Sequence, residues 1–220
     1  MRFITERELR DLFASGVPEQ YQTPAGCRLT PAARQYLMDL RLYRHPSERP
    51  LRPGPSGGRK PEHMTNLNAH EMVCKTHPRI HFRGKLDTLE SEILVLQTSC
   101  PEEWRSPLHD ALTLTRSVLA AEVREIPLSP WTLQGMSPEE IHRCSHHPEE
   151  FGFPGHILPS PEHGLLAAQL NRLRALTRET ELAAVQAFWD GQKVTREDLV
   201  LALNRLSSYF YVLQLRAARH

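Results

Sequence analysis

The sequence predicts an all-α fold: an antiparallel helical bundle of four long helices plus a short one, with a small helical appendage at the N-terminus. Three observations carry this. Leu, Ala, Arg and Glu dominate while aromatics make up 7%, a balance that favours helices over a sandwich or barrel. Four long stretches place apolar residues at spacings of three and four. The 18 prolines crowd between the helical stretches, where they punctuate helices and do not interrupt them. Strand signals are absent.

The elements follow in order. Thr5-Glu6-Arg7-Glu8 has the form of a capping box and leads into Leu9, Leu12 and Phe13 at helical spacing. Thr30-Pro31 pairs an N-cap with a proline at the first helical position, opening a second helix to about Leu42. Residues 44–62 then carry proline or glycine every few positions, and from Arg41 to Glu62 six Arg or Lys stand against two Glu, a local charge of +4. That segment reads either as a solvated linker or as an anion-binding arm. Long helices are expected over Pro78–Ser99, Glu102–Arg124, Pro161–Trp189 and from Thr195 to the C-terminus, the last opened by a capping box with Asp198 in place of Glu. A shorter one runs from Pro138 to about His146, capped by Ser137. The domain expectation is a helical segment at 1–43, a basic Pro/Gly-rich linker at 44–64 and the bundle at 65–220.

Composition narrows the function. With 40% hydrophobic and 24% charged residues among 220, wholesale disorder is excluded. A net charge of +1 gives no field that would gather nucleic acid. No run approaches the roughly 20 apolar residues that span a bilayer, and the opening MRFITERELR lacks the apolar core of a signal peptide. A soluble cytoplasmic protein is the expectation. Cys27, Cys74, Cys100 and Cys144 form no CxxC pair, so reduced thiols are expected rather than staples. Trp104, Trp131 and Trp189 read as core or interface anchors.

One feature exceeds what a bundle core needs. Asn171, Arg174, Arg178 and Glu181 fall within about 80° of one another at 100° per residue, so a narrow stripe carries an amide, two guanidiniums and a carboxylate. Such a stripe can face solvent with i,i+4 pairs. It can equally grip a triphosphate, because guanidinium forks match phosphate oxygens and stay charged. Spacing alone does not choose.

Longer motifs do. The segment Thr65 to Ser91, TNLNAHEMVCKTHPRIHFRGKLDTLES, resembles the early part of the PduO-type ATP:cob(I)alamin adenosyltransferases, in which a phosphate loop leads to a lysine, a D-P-R turn and G-x-x-D-E-L-N-S. Here Lys75, Pro78-Arg79 and Gly84-Lys85-Leu86-Asp87 stand in register. HILPSPEHGLLAAQLNRLRALTRETE resembles that family's F-I-L-P-G-G-S…L-H-x-A-R-T-x-x-R-R-A-E-R, and LNRLSSYFYVLQLRAAR its L-N-R-L-S-D-x-L-F ending. The ITE…LR start, the LTPAAR helix and Ile141-His142-Arg143-Cys144-Ser145-His146 are similar to the ethanolamine-utilisation (EutT-type) branch.

The resemblance implies a homo-oligomer, dimer or trimer, with ATP bound between subunits and the corrinoid above it. It places Arg174, Arg178 and Glu181 on the R-x-x-x-R-x-x-E positions and Asn204-Arg205 on the N-R, all as ATP ligands, the first three also catalytic. Asp87 matches an aspartate that pairs with the first arginine across the subunit contact, and Thr65 and Lys75 fall in the phosphate-loop segment. The implied reaction is attack of cob(I)alamin on C5′ of Mg²⁺-ATP, forming adenosylcobalamin, with a reductase as an electron source and a bacterial microcompartment as a possible address. For cobalamin the expected contacts are Phe151, Phe153, His142, His146 and His156. His156 replaces the phenylalanine of F-I-L-P and could either wedge against the lower corrin face or ligate cobalt.

Two departures stand out. The T-R-x-G-D-x-G loop is absent, its place taken by Arg59-Lys60-Pro61-Glu62-His63-Met64-Thr65. The His plus Cys-Cys-x-x-Cys motif of some EutT-type proteins is missing too, because Cys74 is followed by Lys75 and Thr76. No resident metal site is expected. A non-catalytic corrinoid carrier on the same bundle is the alternative function.

Overall fold

The computed structural model describes residues 2–14, 16–18, 21, 23–24, 26–40, 42 and 60–218. Most of the expected linker, residues 44–59, lies outside them. The chain divides into two compact units, Met1–Thr65 with Glu71–Cys74, and Asn66–His70 with Lys75–His220.

In the first unit, strand β1 (Arg2–Ile4) pairs in parallel with β2 (Cys27–Leu29), Phe3 opposite Arg28. Helix α1 (Glu6–Leu12) lies between them in sequence, opened by the expected capping box: the Thr5 hydroxyl accepts from Glu8 N–H and the Glu8 carboxylate accepts from Thr5 N–H at 2.7 Å. Helix α2 (Pro31–Asp39) starts where Thr30 accepts from Ala33 N–H at 3.2 Å. Ile4, Leu9, Phe13, Ala33 and Leu37 make a small core. A second two-stranded sheet pairs β3 (Met64–Asn66) with β4 (Met72–Cys74). These four three-residue strands correct the expectation that strands are absent. Each is too short to show a period-two pattern in sequence.

In the second unit, α3 (Pro78–Ser99), α4 (Arg105–Val123), α5 (Pro138–His146), α6 (Gly164–Phe188) and α7 (Glu197–Ala217) follow one another. Helix α3 packs on α4 and α6, and α7 on the same two, closing a four-helix ring with α5 against α7. Phe82, Leu86, Leu89, Ile93 and Leu96 bury one face of α3, as the spacing requires. Each such side chain contributes roughly 1.5–3 kcal/mol when removed from water. The starts of α4 and α6 are tighter than expected, with 3₁₀ turns at Glu102–Trp104 and Pro161–His163. Ser137 and Glu140 form the expected capping box of α5.

The box expected at Thr195 does not form. Thr195 instead donates its hydroxyl to the Phe188 carbonyl at 3.1 Å, tying off the turn after α6, and the helix begins at Glu197. Asp198 is engaged elsewhere: it takes the Arg196 guanidinium and accepts from Leu128 N–H at 2.9 Å.

The bundle contains one buried charge cluster that sequence periodicity does not reveal. Glu122, fully buried near the end of α4, accepts from Arg79 Nε at 2.6 Å and from Arg83 Nε. Arg79 Nη1 donates to the Glu125 carboxylate, Arg79 Nη2 to the Glu122 carbonyl and Arg83 Nη2 to the Leu67 carbonyl. No helix among the described residues is long and apolar enough to cross a membrane.

Candidate functional site

The 160–164 turn sets the direction of α6. Ser160 accepts from Glu162 N–H, Pro161 occupies the first turn, and Gly164 adopts φ +81°, a conformation that L-residues with a Cβ avoid. From there α6 projects Asn171, Arg174 and Arg178 toward α7, which answers with Ser207, Ser208, Tyr211 and Gln214. The connection before α6 contributes His156 to Pro159, and the end of α5 contributes Ser145 and His146. Together they enclose a pocket of about 440 Å³, in the size range of small-molecule sites.

Its charge is unbalanced. Among the described residues Arg178 makes no ion pair or hydrogen bond, and Arg174 has only the Tyr211 ring, 5.8 Å from its guanidinium carbon. No carboxylate lines the pocket. Two guanidiniums on one helix face, open to a cavity and not neutralised within it, form an anion receptor.

Beside the pocket runs a polar relay. Arg205 Nη1 donates to the side-chain Oδ1 of Asn204, and Asn204 Nδ2 donates to Glu181 at 2.9 Å. Glu181, Asn204 and Arg205 therefore engage one another and do not line the cavity. The relay fixes the α6–α7 register one turn beyond Arg178.

The opposite wall is held by Tyr211. Its hydroxyl accepts from Ile157 N–H at 3.2 Å and contacts His156 Nδ1 at 3.0 Å, while His156 Nε2 lies 3.1 Å from the His146 carbonyl oxygen. A carbonyl only accepts, so Nε2 carries the proton and Nδ1 accepts from the tyrosine. Both ring nitrogens are occupied by protein, which leaves His156 no free lone pair for a metal.

The other expected site residues lie elsewhere. His142 stacks on His146 with ring centroids 4.1 Å apart but stays outside the pocket lining. Burial first, then the Arg205 charge and the neighbouring histidines, lower its pKa from 6.5, favouring the neutral ring. Phe151 sits under Arg143, 5.1 Å from its guanidinium carbon, and neither Phe151 nor Phe153 lines the cavity. Asp87 and Lys75 are exposed, on α3 and just before it, and do not line it either. Thr65 is half-buried in β3 of the first unit.

Sequence reasoning missed Ser207, Ser208, Tyr211 and Gln214. A signal existed: from Asn204 they recur at steps of three and four through an otherwise apolar run, one face of α7.

Among the described residues no group of three or more His, Cys, Asp or Glu is placed to hold a metal ion. The pocket's guanidinium, amide and hydroxyl groups do not fit Mg²⁺, which prefers carboxylate, phosphate and water oxygens. The protein lining therefore does not build a Mg²⁺ site of its own, and the ion's natural carrier is a polyphosphate.

Comparison with known proteins gives a consistent picture. The chain is 34% identical to the corrinoid adenosyltransferase EutT of Salmonella typhimurium, over 99% of this chain and 93% of that protein. It is 32% identical to the Escherichia coli K12 EutT, over 97% and 91%. Among solved structures, a phenylalanine-to-alanine variant of the PduO-type ATP:corrinoid adenosyltransferase from Lactobacillus reuteri, complexed with cobalamin and ATP, superposes with TM-score 0.57 at 20% identity. That match covers 71% of this chain and 89% of the other. An arginine-to-lysine variant complexed with ATP gives TM-score 0.55, also at 20% identity, over 71% and 90%. Residues 57–217 match the family described as cobalamin adenosyltransferase, and with this the chain belongs to that family.

Proposed function

We propose that this protein transfers the 5′-deoxyadenosyl group of ATP to cob(I)alamin, with the nucleotide's phosphates held by Arg174 and Arg178. The observation that carries this is the pair of guanidiniums facing a 440 Å³ pocket with no carboxylate in its lining.

Cob(I)alamin is the nucleophile: its cobalt forms the bond to C5′, the C5′–O bond breaks, and the electron pair leaves on the triphosphate. The protein therefore needs no Ser, Cys or His nucleophile, and its work is alignment and charge stabilisation. Arg174 and Arg178 meet the charge that develops on the leaving oxygen. The Glu181–Asn204–Arg205 relay keeps α6 and α7 in register so that both forks face the same point. His156, with both nitrogens engaged, shapes the corrin-facing wall and does not ligate cobalt.

Two finer expectations belong to the same reading. Thr65, Lys75 and Asp87 do not line the pocket, so a second copy of the chain supplies the rest of the nucleotide contacts. The exposed Leu158, Leu165 and Leu182, at 86%, 75% and 69%, are apolar surface for that copy to cover. A reductase partner delivers the electron that makes Co(I).

The test is an anaerobic spectral assay with ATP, Mg²⁺ and chemically reduced cobalamin. Loss of the cob(I)alamin absorbance and appearance of adenosylcobalamin is expected. Retained cob(I)alamin in a sample that binds both ligands makes the protein a carrier. Sedimentation run beside it tests the shared site, since a monomer with full turnover removes it.

A further inference from the structure

His146 ends α5 and lines the same pocket. Its Nδ1 lies 3.0 Å from the His142 carbonyl oxygen and 3.1 Å from the Ser145 hydroxyl, which itself donates to that carbonyl at 2.9 Å. A carbonyl only accepts, so Nδ1 carries the ring's proton and turns back onto its own helix. The His142 ring packs beside it, with centroids 4.1 Å apart. Nε2, across the ring, has no hydrogen-bond partner among the described residues, and the residue is exposed. A free lone pair thus sits on a ring whose orientation is fixed.

The field around that ring is positive. Arg174 and Arg178 share its pocket from α6. Burial, then Arg205 of α7, His146 and His147, hold the neighbouring His142 toward its neutral form. On the facing wall His156 and Tyr211, the titratable groups, are hydrogen-bonded to each other. In the turn that follows α5, Glu150 is taken by Arg143 at 3.7 Å, and neither it nor Glu149 pairs with His146. An empty pocket therefore disfavours a further positive charge, and an anion within it reverses that preference.

We propose that His146 is a proton-coupled third cation of the anion receptor: when a polyphosphate enters the pocket, Nε2 takes a proton from solvent and presents it to the anion. Nδ1 keeps its bond to the His142 carbonyl in both states, so the charge changes without the ring turning. Coupling is reciprocal, so protons tighten the anion as the anion tightens the proton. The two guanidiniums stay charged throughout. His146 is then what loosens the grip as pH rises through the range of about 5 to 8 in which imidazoles change charge. That the anion is ATP rests on the adenosyltransferase reading; the coupling itself needs only a polyphosphate.

Isothermal titration of the full chain with Mg²⁺-ATP and, separately, with inorganic triphosphate reads this directly. Run at one pH in buffers of different ionisation enthalpy, it counts the protons exchanged on binding. The wild-type chain is expected to take up part of a proton per anion, and to bind about tenfold more weakly at about pH 8 than at about pH 6. The ligand's own phosphates work in the opposite sense, shedding protons as they meet the arginines. His146→Asn keeps an N–H donor near the Nδ1 position but no titrating nitrogen, so it should lose the uptake and most of the pH dependence. Melting temperatures are the control for folding. No uptake by the wild-type chain, a measurement that needs no variant, overturns the proposal, and so does uptake that survives in folded His146→Asn. A chain that takes up the proton with inorganic triphosphate yet does not bind ATP defeats the nucleotide reading alone. One that makes adenosylcobalamin without the uptake defeats the coupling alone.

Discussion

Two helices of this bundle carry arginines four residues apart, and the pairs have opposite fates. On α3, Arg79 and Arg83 close on one carboxylate, Glu122, which is 0% exposed. On α6, Arg174 and Arg178 face a cavity with no carboxylate in its wall. The spacing is identical, and so is the geometry by which i and i+4 share a helix face. What differs is the partner across the gap, supplied by α4 in one case and withheld by α7 in the other. An arginine pair is structural when the fold spends a buried carboxylate on it, and available to a ligand when it does not.

The sharpest way to break the comparison is to remove Glu122. Glu122→Ala leaves two guanidiniums, each with a side chain under a fifth exposed, without their shared counter-charge. Breaking a buried pair this way costs about 3–5 kcal/mol, read as a large drop in the urea midpoint with unchanged slope. A loss below about 1 kcal/mol would place Arg79 and Arg83 among weakly coupled surface charges.

Arg178→Ala is the mirror experiment. An exposed side chain with no protein partner should leave stability within about 0.5 kcal/mol of wild type. Losing one leaving-group contact should lower turnover by about 10²–10³. Stability and activity thus move in opposite patterns for the two pairs. Wild-type turnover by folded Arg178→Ala protein would take this residue out of the site.

The same contrast explains what was legible in the sequence. Local chemistry was readable: the boxes at Thr5 and Ser137 form because each needs only residues three apart. The one expected at Thr195 fails because Asp198 is taken by other partners, the guanidinium of Arg196 two residues before it and the Leu128 amide from a distant part of the chain. The α6 stripe was readable because polar residues at helical spacing stand out against leucines. Glu122 was not, because a glutamate near a helix end ordinarily reads as solvated, and its burial is decided by α3. Tyr211 and Gln214 hid inside an apolar run for the same reason: only the packing of α6 and the 156–159 segment against α7 turns that face into a wall.

Tyr211→Phe sharpens the comparison from the pocket's other side. The substitution keeps the ring under Arg174 but deletes the hydroxyl that bridges His156 and Ile157. A net hydrogen bond is worth about 0.5–1.5 kcal/mol, so a fall in unfolding free energy of that size is expected, with a rise in KM for the corrinoid larger than any rise for ATP. Equal effects on both would mean that the wall does not belong to one substrate.

A third arginine lies between the extremes. Arg196 is paired with Asp198, and both side chains are partly exposed, at 19% and 32%. Burial opposes ionisation of Asp198, but the Arg196 guanidinium and the Leu128 amide outweigh it and hold its pKa below 3.8. With the folded pKa depressed, the clasp's contribution is complete above the unfolded value, about 3.9, and disappears as pH falls through the folded one. Partial exposure screens it to about 1 kcal/mol or less. Asp198→Asn should therefore lower stability slightly at pH 7 and not at all at the acid end of the transition, compared by urea unfolding at both. A difference that persists unchanged in acid would mean that the clasp acts through hydrogen-bond geometry, not charge, and Arg196 would then join neither pair.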